Sequence, residues 1–253
     1  MSKYIKLFDT HTDYNTYITG QDKILPNVSY CENEDEVHFN PLVIETKLVA
    51  KFNVTSTSNA TAICYSSATS QFTEIEIDGV VQPSVVSSYT FDTTGEHTVK
   101  YTLADPTKIG DNAFYNCYYL SDIQFPSSVN TINTYAFYYC FYYETNITLT
   151  IPDSITTIKS KAFLGCSGRS SGNGIRNLIL PSTIQTIGED AFYNCNDLQH
   201  ITINAITPPL LGSNAFRNNG IVGKTIYVPS ESVSAYKAAS GWSDYASVIQ
   251  AIP

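Results

Sequence analysis

Ile109-Gly110-Asp111-Asn112-Ala113-Phe114-Tyr115-Asn116-Cys117 returns as Ile132 to Cys140, Ile158 to Cys166 and Ile187 to Cys195. A decayed copy follows at Leu211-Gly212-Ser213-Asn214-Ala215-Phe216. The Ala-Phe phenylalanines stand at 114, 137, 163, 192 and 216, giving spacings of 23, 26, 29 and 24. A period of this length predicts a solenoid, in which each repeat buries its apolar face only against its neighbours. Solenoids build long surfaces, so the first functional expectation is recognition and not catalysis in a deep cleft.

Working outward, each repeat reads Ile-x3-Ala-Phe-x2-Cys, a variable stretch, then a short strand such as Leu120-x-x-Ile123 or Ile147-x-Leu149-x-Ile151. Later strands are expected at Leu178, Leu198 and Ile226. Alternating apolar residues face the core in such strands, and proline after four of the five stops the ladder. Phe114, Phe137, Phe163 and Phe192 are expected to form one buried row. Cys117, Cys140, Cys166 and Cys195 each follow the phenylalanine by three residues. Buried thiols of this kind pack as small hydrophobes, and the close ligand pairs of a metal site are missing. These four are expected to be reduced and unmetallated, and no cofactor is implied.

The remaining sequence divides around this array. Residues 1–44 read as an extended leader with an acidic patch at Glu32-Asn33-Glu34-Asp35-Glu36. Residues 45–105 alternate as strands, with Asp78-Gly79 as a hairpin turn. Their spacing predicts a small immunoglobulin-like β-sandwich. Residues 106–229 form the leucine-rich-repeat solenoid of about five repeats. Residues 230–253 break the period, and Val233, Tyr236 and Ala239 mark a helical C-terminal cap, with Trp242 packed in it. The fold class expected is therefore mainly β: sandwich, solenoid, helical cap.

Composition narrows the functional classes. Net charge is −9 with no basic run, which argues against nucleic acid as partner. No apolar stretch reaches the ~20 residues of a membrane span. The N-terminus from Met1 to Asp9 lacks the apolar core of a secretory signal. His11, His38, His97 and His200 lie in separate contexts without a nucleophile and acid at recognisable spacing. The loop Ser167 to Gly174 lacks the Gly-Lys-Ser/Thr ending of a phosphate cradle. An enzyme is not expected.

The pattern I-G-x-x-A-F-x-x-C-x-x-L-x-x-I-x-(F/I/L)-P is similar to the BspA-like leucine-rich repeats. The ending from Val228-Pro229-Ser230 through Tyr236-Lys237 to Gly241-Trp242 looks like that family's C-terminal cap. The module containing Phe91 to Tyr101 resembles β-sandwich modules that precede such repeats in gut Bacteroides-type proteins. The leader around Lys23 to Cys31 looks like a segment shared by those bacteria and their phages. The resemblance implies cell-surface or extracellular adhesion to a host protein or a glycan. The alternative is a structural component of a virion or appendage that docks through the leader.

Two binding surfaces stay open. The strand face presents small polar side chains such as Thr148, Thr150, Asn177 and Thr202, with His200 among them. The flank presents Tyr118, Tyr119, Phe141, Tyr142 and Tyr143 from adjacent repeats. Tyrosine offers a broad face and a hydroxyl at low entropic cost, so the flank is the preferred site for a protein or carbohydrate ligand. Oligomeric state is not legible in the sequence.

Overall fold

The computed structural model describes residues 28–31, 36–39, 47–168, 174–217 and 224–253. The chain divides into two compact units, 1–45 and 46–253. In the first, β1 (Val28–Cys31) and β2 (Glu36–Phe39) pair antiparallel, with Val28 opposite Phe39. The rest of the expected leader lies outside the described residues, as does the centre of the serine-rich insertion at 169–173.

The second unit opens with β3 (Leu48–Val54), β4 (Thr61–Ala62), β5 (Phe72–Ile77), β6 (Val80–Val81), β7 (Ser88–Tyr89) and β8 (Gly95–Leu103). Alternation is visible in β8, whose His97, Val99, Tyr101 and Leu103 are buried while their neighbours are not. Asp78 and Gly79 both take positive φ between β5 and β6, as the Asp-Gly turn requires. The second layer that a sandwich would supply is reduced here to the β4–β7 pair and a 3-10 turn at Ser66–Gln71. It rests on the sheet through Ile63, Ala68 and Phe91, and the buried Tyr101 hydroxyl donates to the Ile63 carbonyl at 2.6 Å.

The solenoid has about five turns. One column of two-residue strands runs β9 (Lys108–Ile109), β11 (Thr131–Ile132), β13 (Thr157–Ile158), β15 (Thr186–Ile187) and β17 (Leu210–Leu211), all parallel. The second column is β12 (Ile147–Thr150), β14 (Ile175–Leu180), β16 (His200–Ile203) and β18 (Thr225–Val228), also parallel. The Thr-Ile column is a feature the sequence reading did not separate from the corner. Between the columns, the Phe114, Phe137, Phe163 and Phe192 rings stack 5.0–5.2 Å apart and within 7° of parallel. Phe216 continues the row.

Each of the first four corners is closed by two left-handed residues, one two places before the phenylalanine and one two places after, and the fifth has the first of the pair. These are Asn112 and Asn116, Tyr135 and Tyr139, Lys161 and Gly165, Asp190 and Asn194, then Asn214. Asn, Asp and Gly enter that region at least cost, which accounts for their recurrence in the motif. The corners are also laced together: the Phe137 N–H donates to Ala162 O at 2.7 Å, and Phe163 to Ala191 at 2.8 Å.

The first long strand of the repeats, β10 (Leu120–Gln124), departs from this order. It pairs antiparallel with β3, so the sheet runs β10-β3-β8-β5-β6. The module before the repeats thus shares a sheet with the first turn, and Phe72 and Tyr101 pack against Phe114 at 5.8 and 5.3 Å.

The helical cap is smaller than expected. A 3-10 turn at Ser230–Ser232 leads into one short helix, α1 (Val233–Ala238). The chain then turns through Gly241 at φ 78° and ends as β19 (Ile249–Ala251), which extends the parallel column beyond β18. The open edge of β18 is paired by this strand, and helix alone would leave its main chain unbonded. Trp242 is buried as expected, and its indole donates to Pro209 O at 2.8 Å.

Candidate functional site

The flank aromatics come together around the corners of the first two repeats. Tyr119 and Tyr143 rings lie 4.7 Å apart, Tyr118 and Tyr142 5.4 Å, and Tyr142 and Tyr143 5.2 Å. The cluster extends through further tyrosines on either side. Tyr115 stacks on Tyr138 at 4.4 Å, Tyr138 meets Tyr139 edge-on at 4.5 Å, and Tyr65 joins Tyr115 at 5.1 Å. Tyr118, Tyr139, Tyr142 and Tyr143 line an open hollow of about 450 Å³.

Phe141 does not belong to that surface. It is only 1% exposed and packs in the core, because its left-handed φ of 59° turns the chain inward after Cys140. Tyr118, Tyr119 and Tyr142 are half-buried, and Tyr143 is 47% exposed. Tyr139 is the residue sequence reasoning underrated. Its signal was the left-handed position that the other repeats give to Asn or Gly.

The second repeat concentrates backbone strain beneath these rings. Tyr135, Tyr139 and Phe141 all have φ between 54° and 59°. At the first two of these positions the other repeats carry Asn, Asp, Gly or Lys. A bulky side chain in that region is costly, and such strain concentrates at functional sites. Gly165, one repeat on, leaves room for the Tyr139 ring, since a Cβ there would come 2.7 Å from it. Burial raises the Tyr118 hydroxyl pKa and pushes that of Tyr138 up to about 12, with neighbouring tyrosines adding to both. At neutral pH these two phenols are therefore uncharged donors.

A second arrangement invites comparison with catalytic chemistry. His97 Nδ1 lies 2.7 Å from Asp78 Oδ2, and Nε2 lies 3.4 Å from the Thr93 hydroxyl. Nε2 is closer, at 2.9 Å, to the Thr93 carbonyl. A carbonyl accepts only, so in this geometry Nε2 is placed to donate to it and not to serve as acceptor for the hydroxyl. The trio ties the 78–79 turn to β8, with Asp78 also accepting from Thr98 N–H at 2.9 Å. His200 lies on the strand face with its ring 6.3 Å from that of Tyr227. Among the described residues no cluster of His, Cys, Asp and Glu suits a metal ion, and no helix is long and apolar enough to cross a membrane.

No curated protein matches the chain. A crystal structure of a leucine-rich repeat protein from Bacteroides ovatus is similar over 49% of this chain, at 25% identity and a TM-score of 0.35. The match covers 37% of that protein, so this chain spans little more than a third of its length. The model of the BspA type leucine rich repeat region matches residues 84–222 and 170–239, in six copies. The chain belongs to the BspA-type leucine-rich repeat family.

Proposed function

We propose that the protein is a non-enzymatic recognition module whose ligand, a protein or a glycan, is held by the tyrosine hollow of the first two repeats. The observation that carries this reading is the strained second repeat, where Tyr135 and Tyr139 occupy left-handed positions. Repeat packing alone is served better there by asparagine or glycine. Tyr118, Tyr142 and Tyr143 add ring faces and hydroxyls around the same hollow, the combination that suits sugar rings and protein loops alike. An extracellular or cell-surface setting goes with this reading. The immunoglobulin-like β-sandwich assignment of residues 45–105 is part of the same proposal, as is the adhesive role.

The test is to probe glycan and host-protein arrays with the full chain, then titrate the best ligand against two double variants. Tyr142→Ala with Tyr143→Ala should weaken binding by at least about tenfold, the usual scale of aromatic hot spots. Asn177→Ala with Thr202→Ala, on the strand face, should leave it unchanged. Loss confined to the second pair would move the site to the strand face.

A further inference from the structure

We infer that the cleft between β10 and β12 is a second binding site, which accepts an extended peptide strand with alternating apolar and basic side chains. It is independent of the tyrosine hollow.

One rung is missing from the long column. From β12 through β19 every successive strand of the long column pairs with the next, whereas β10, the first of the series, pairs among the described residues only with β3. The short column shows no such break, since β9 pairs with β11. The first and second turns are thus in register at one side and separated at the other. Over most of their length the Cα atoms of β10 and β12 lie more than 8 Å apart. A strand between two others sets its outer neighbours about 9.5 Å apart, twice the ordinary spacing. The cleft holds about 350 Å³.

Both walls present main-chain groups. Ile147 and Ile151 donate to Gly174 and Ile179 on the β14 side. Along a strand the peptide groups alternate in direction, so those of Thr148 and Thr150 face the cleft. On the other wall Asn53 donates to Tyr119 O, which sets Lys51 and Val49 toward Asp122 and Gln124. Ile123 then faces the cleft, and its N–H is bonded at 2.9 Å by the Asp122 carboxylate. A carboxylate closing an edge N–H keeps the edge from pairing indiscriminately. The register shift falls at Ser121, whose hydroxyl is buried in the cleft wall and has no hydrogen-bond partner among the described residues. Bulges of this kind recur beside binding sites.

The side chains define the occupant. Ile123, Leu149 and Phe141 form an apolar floor, while Asp122, Gln124, Thr148 and Thr150 stand at the mouth. An inserted strand therefore places apolar residues inward and polar ones outward, with a cation beside Asp122. Its main chain completes the sheet across the gap, the mode of strand addition in which backbone bonds supply affinity.

The test uses the full chain and the blocked peptide Thr-Lys-Val-Lys-Val-Lys-Thr, followed by calorimetry and by amide exchange at Thr148 and Thr150. The expected result is saturable binding with slowed exchange at both amides. Replacing the central lysine by proline, which removes a donor, should weaken binding at least about tenfold. Thr150→Pro should do the same without disturbing the β14 ladder, and Asp122→Lys should weaken binding by setting a second cation beside the peptide's lysine. Tyr142→Ala with Tyr143→Ala should leave peptide binding intact, which separates this site from the tyrosine hollow. Absence of binding, or equal binding of the proline peptide, would overturn the inference. So would concentration-dependent dimers abolished by Thr150→Pro, since the strand would then come from a second copy.

Discussion

Cys140 Sγ lies 3.0 Å from the carbonyl oxygen of Phe114, one repeat earlier in the chain. The contact repeats at Cys166 to Phe137 and Cys195 to Phe163, at 3.0 and 3.1 Å. The thiol is thus more than a small hydrophobe at the corner. It donates to the preceding turn, at a carbonyl that has a spare lone pair.

Removing that donor should cost stability while leaving the fold intact. Cys166→Ala is expected to lower the unfolding free energy by about 1–3 kcal/mol, from a small cavity and one lost buried bond. Cys166→Ser, which keeps a donor, should cost less. Urea denaturation ranks the two. Burial raises the pKa of Cys117, Cys140 and Cys166 well above the ordinary thiol value and that of Cys64 to about 12. Without denaturant, a thiol reagent at mildly alkaline pH should therefore leave all four unlabelled.

Tyr139→Asn sets stability against binding. Relief of the left-handed tyrosine should offset the lost ring contacts, leaving stability unchanged or raised by up to ~1 kcal/mol. Ligand affinity should fall. A thermal melt beside a binding titration checks both, and a strong destabilisation would show that the ring is needed for packing.

Gly188→Ala and Gly110→Ala should differ. A Cβ at Gly188 would meet the main chain of Lys159 and Ser160 at 2.4–2.6 Å, whereas at Gly110 it meets the side chain of Gln71. Backbone cannot yield as a side-chain end can. Gly188→Ala is expected to cost on the order of 1–3 kcal/mol, and Gly110→Ala less, by the same urea measurement.

Lys224 gives a pH signature. It is buried, its ammonium donates to Phe216 O at 2.7 Å, and burial lowers its pKa to about 8. Between that value and the ordinary lysine value of 10.5 the unfolded chain binds the extra proton. Stability contributed by this group therefore rises with pH across that window. From pH 8 to 9.5 the wild type should gain stability relative to Lys224→Met, and below about pH 7 the offset between the two proteins should stop changing with pH. Parallel curves for the two proteins would contradict the burial of the charge.

The repeat register, the phenylalanine row, the corner cysteines, five long strands and the buried Trp242 were legible because each is a local pattern multiplied by the period. A motif repeated in phase must place equivalent residues equivalently, so one buried Phe implies the next. The tyrosine flank was legible in composition. Its membership was decided by backbone φ, which buried Phe141 and brought Tyr139 to the hollow. Three further features lay beyond the sequence because they depend on which edges meet in space. The edge of β3 takes β10 out of the solenoid column, the edge of β18 recruits the last residues as β19, and the cleft follows from the first of these. Side-chain periodicity records which face of a strand is buried; it carries no mark of which neighbour its main chain will bond, because every residue except proline offers the same N–H and C=O.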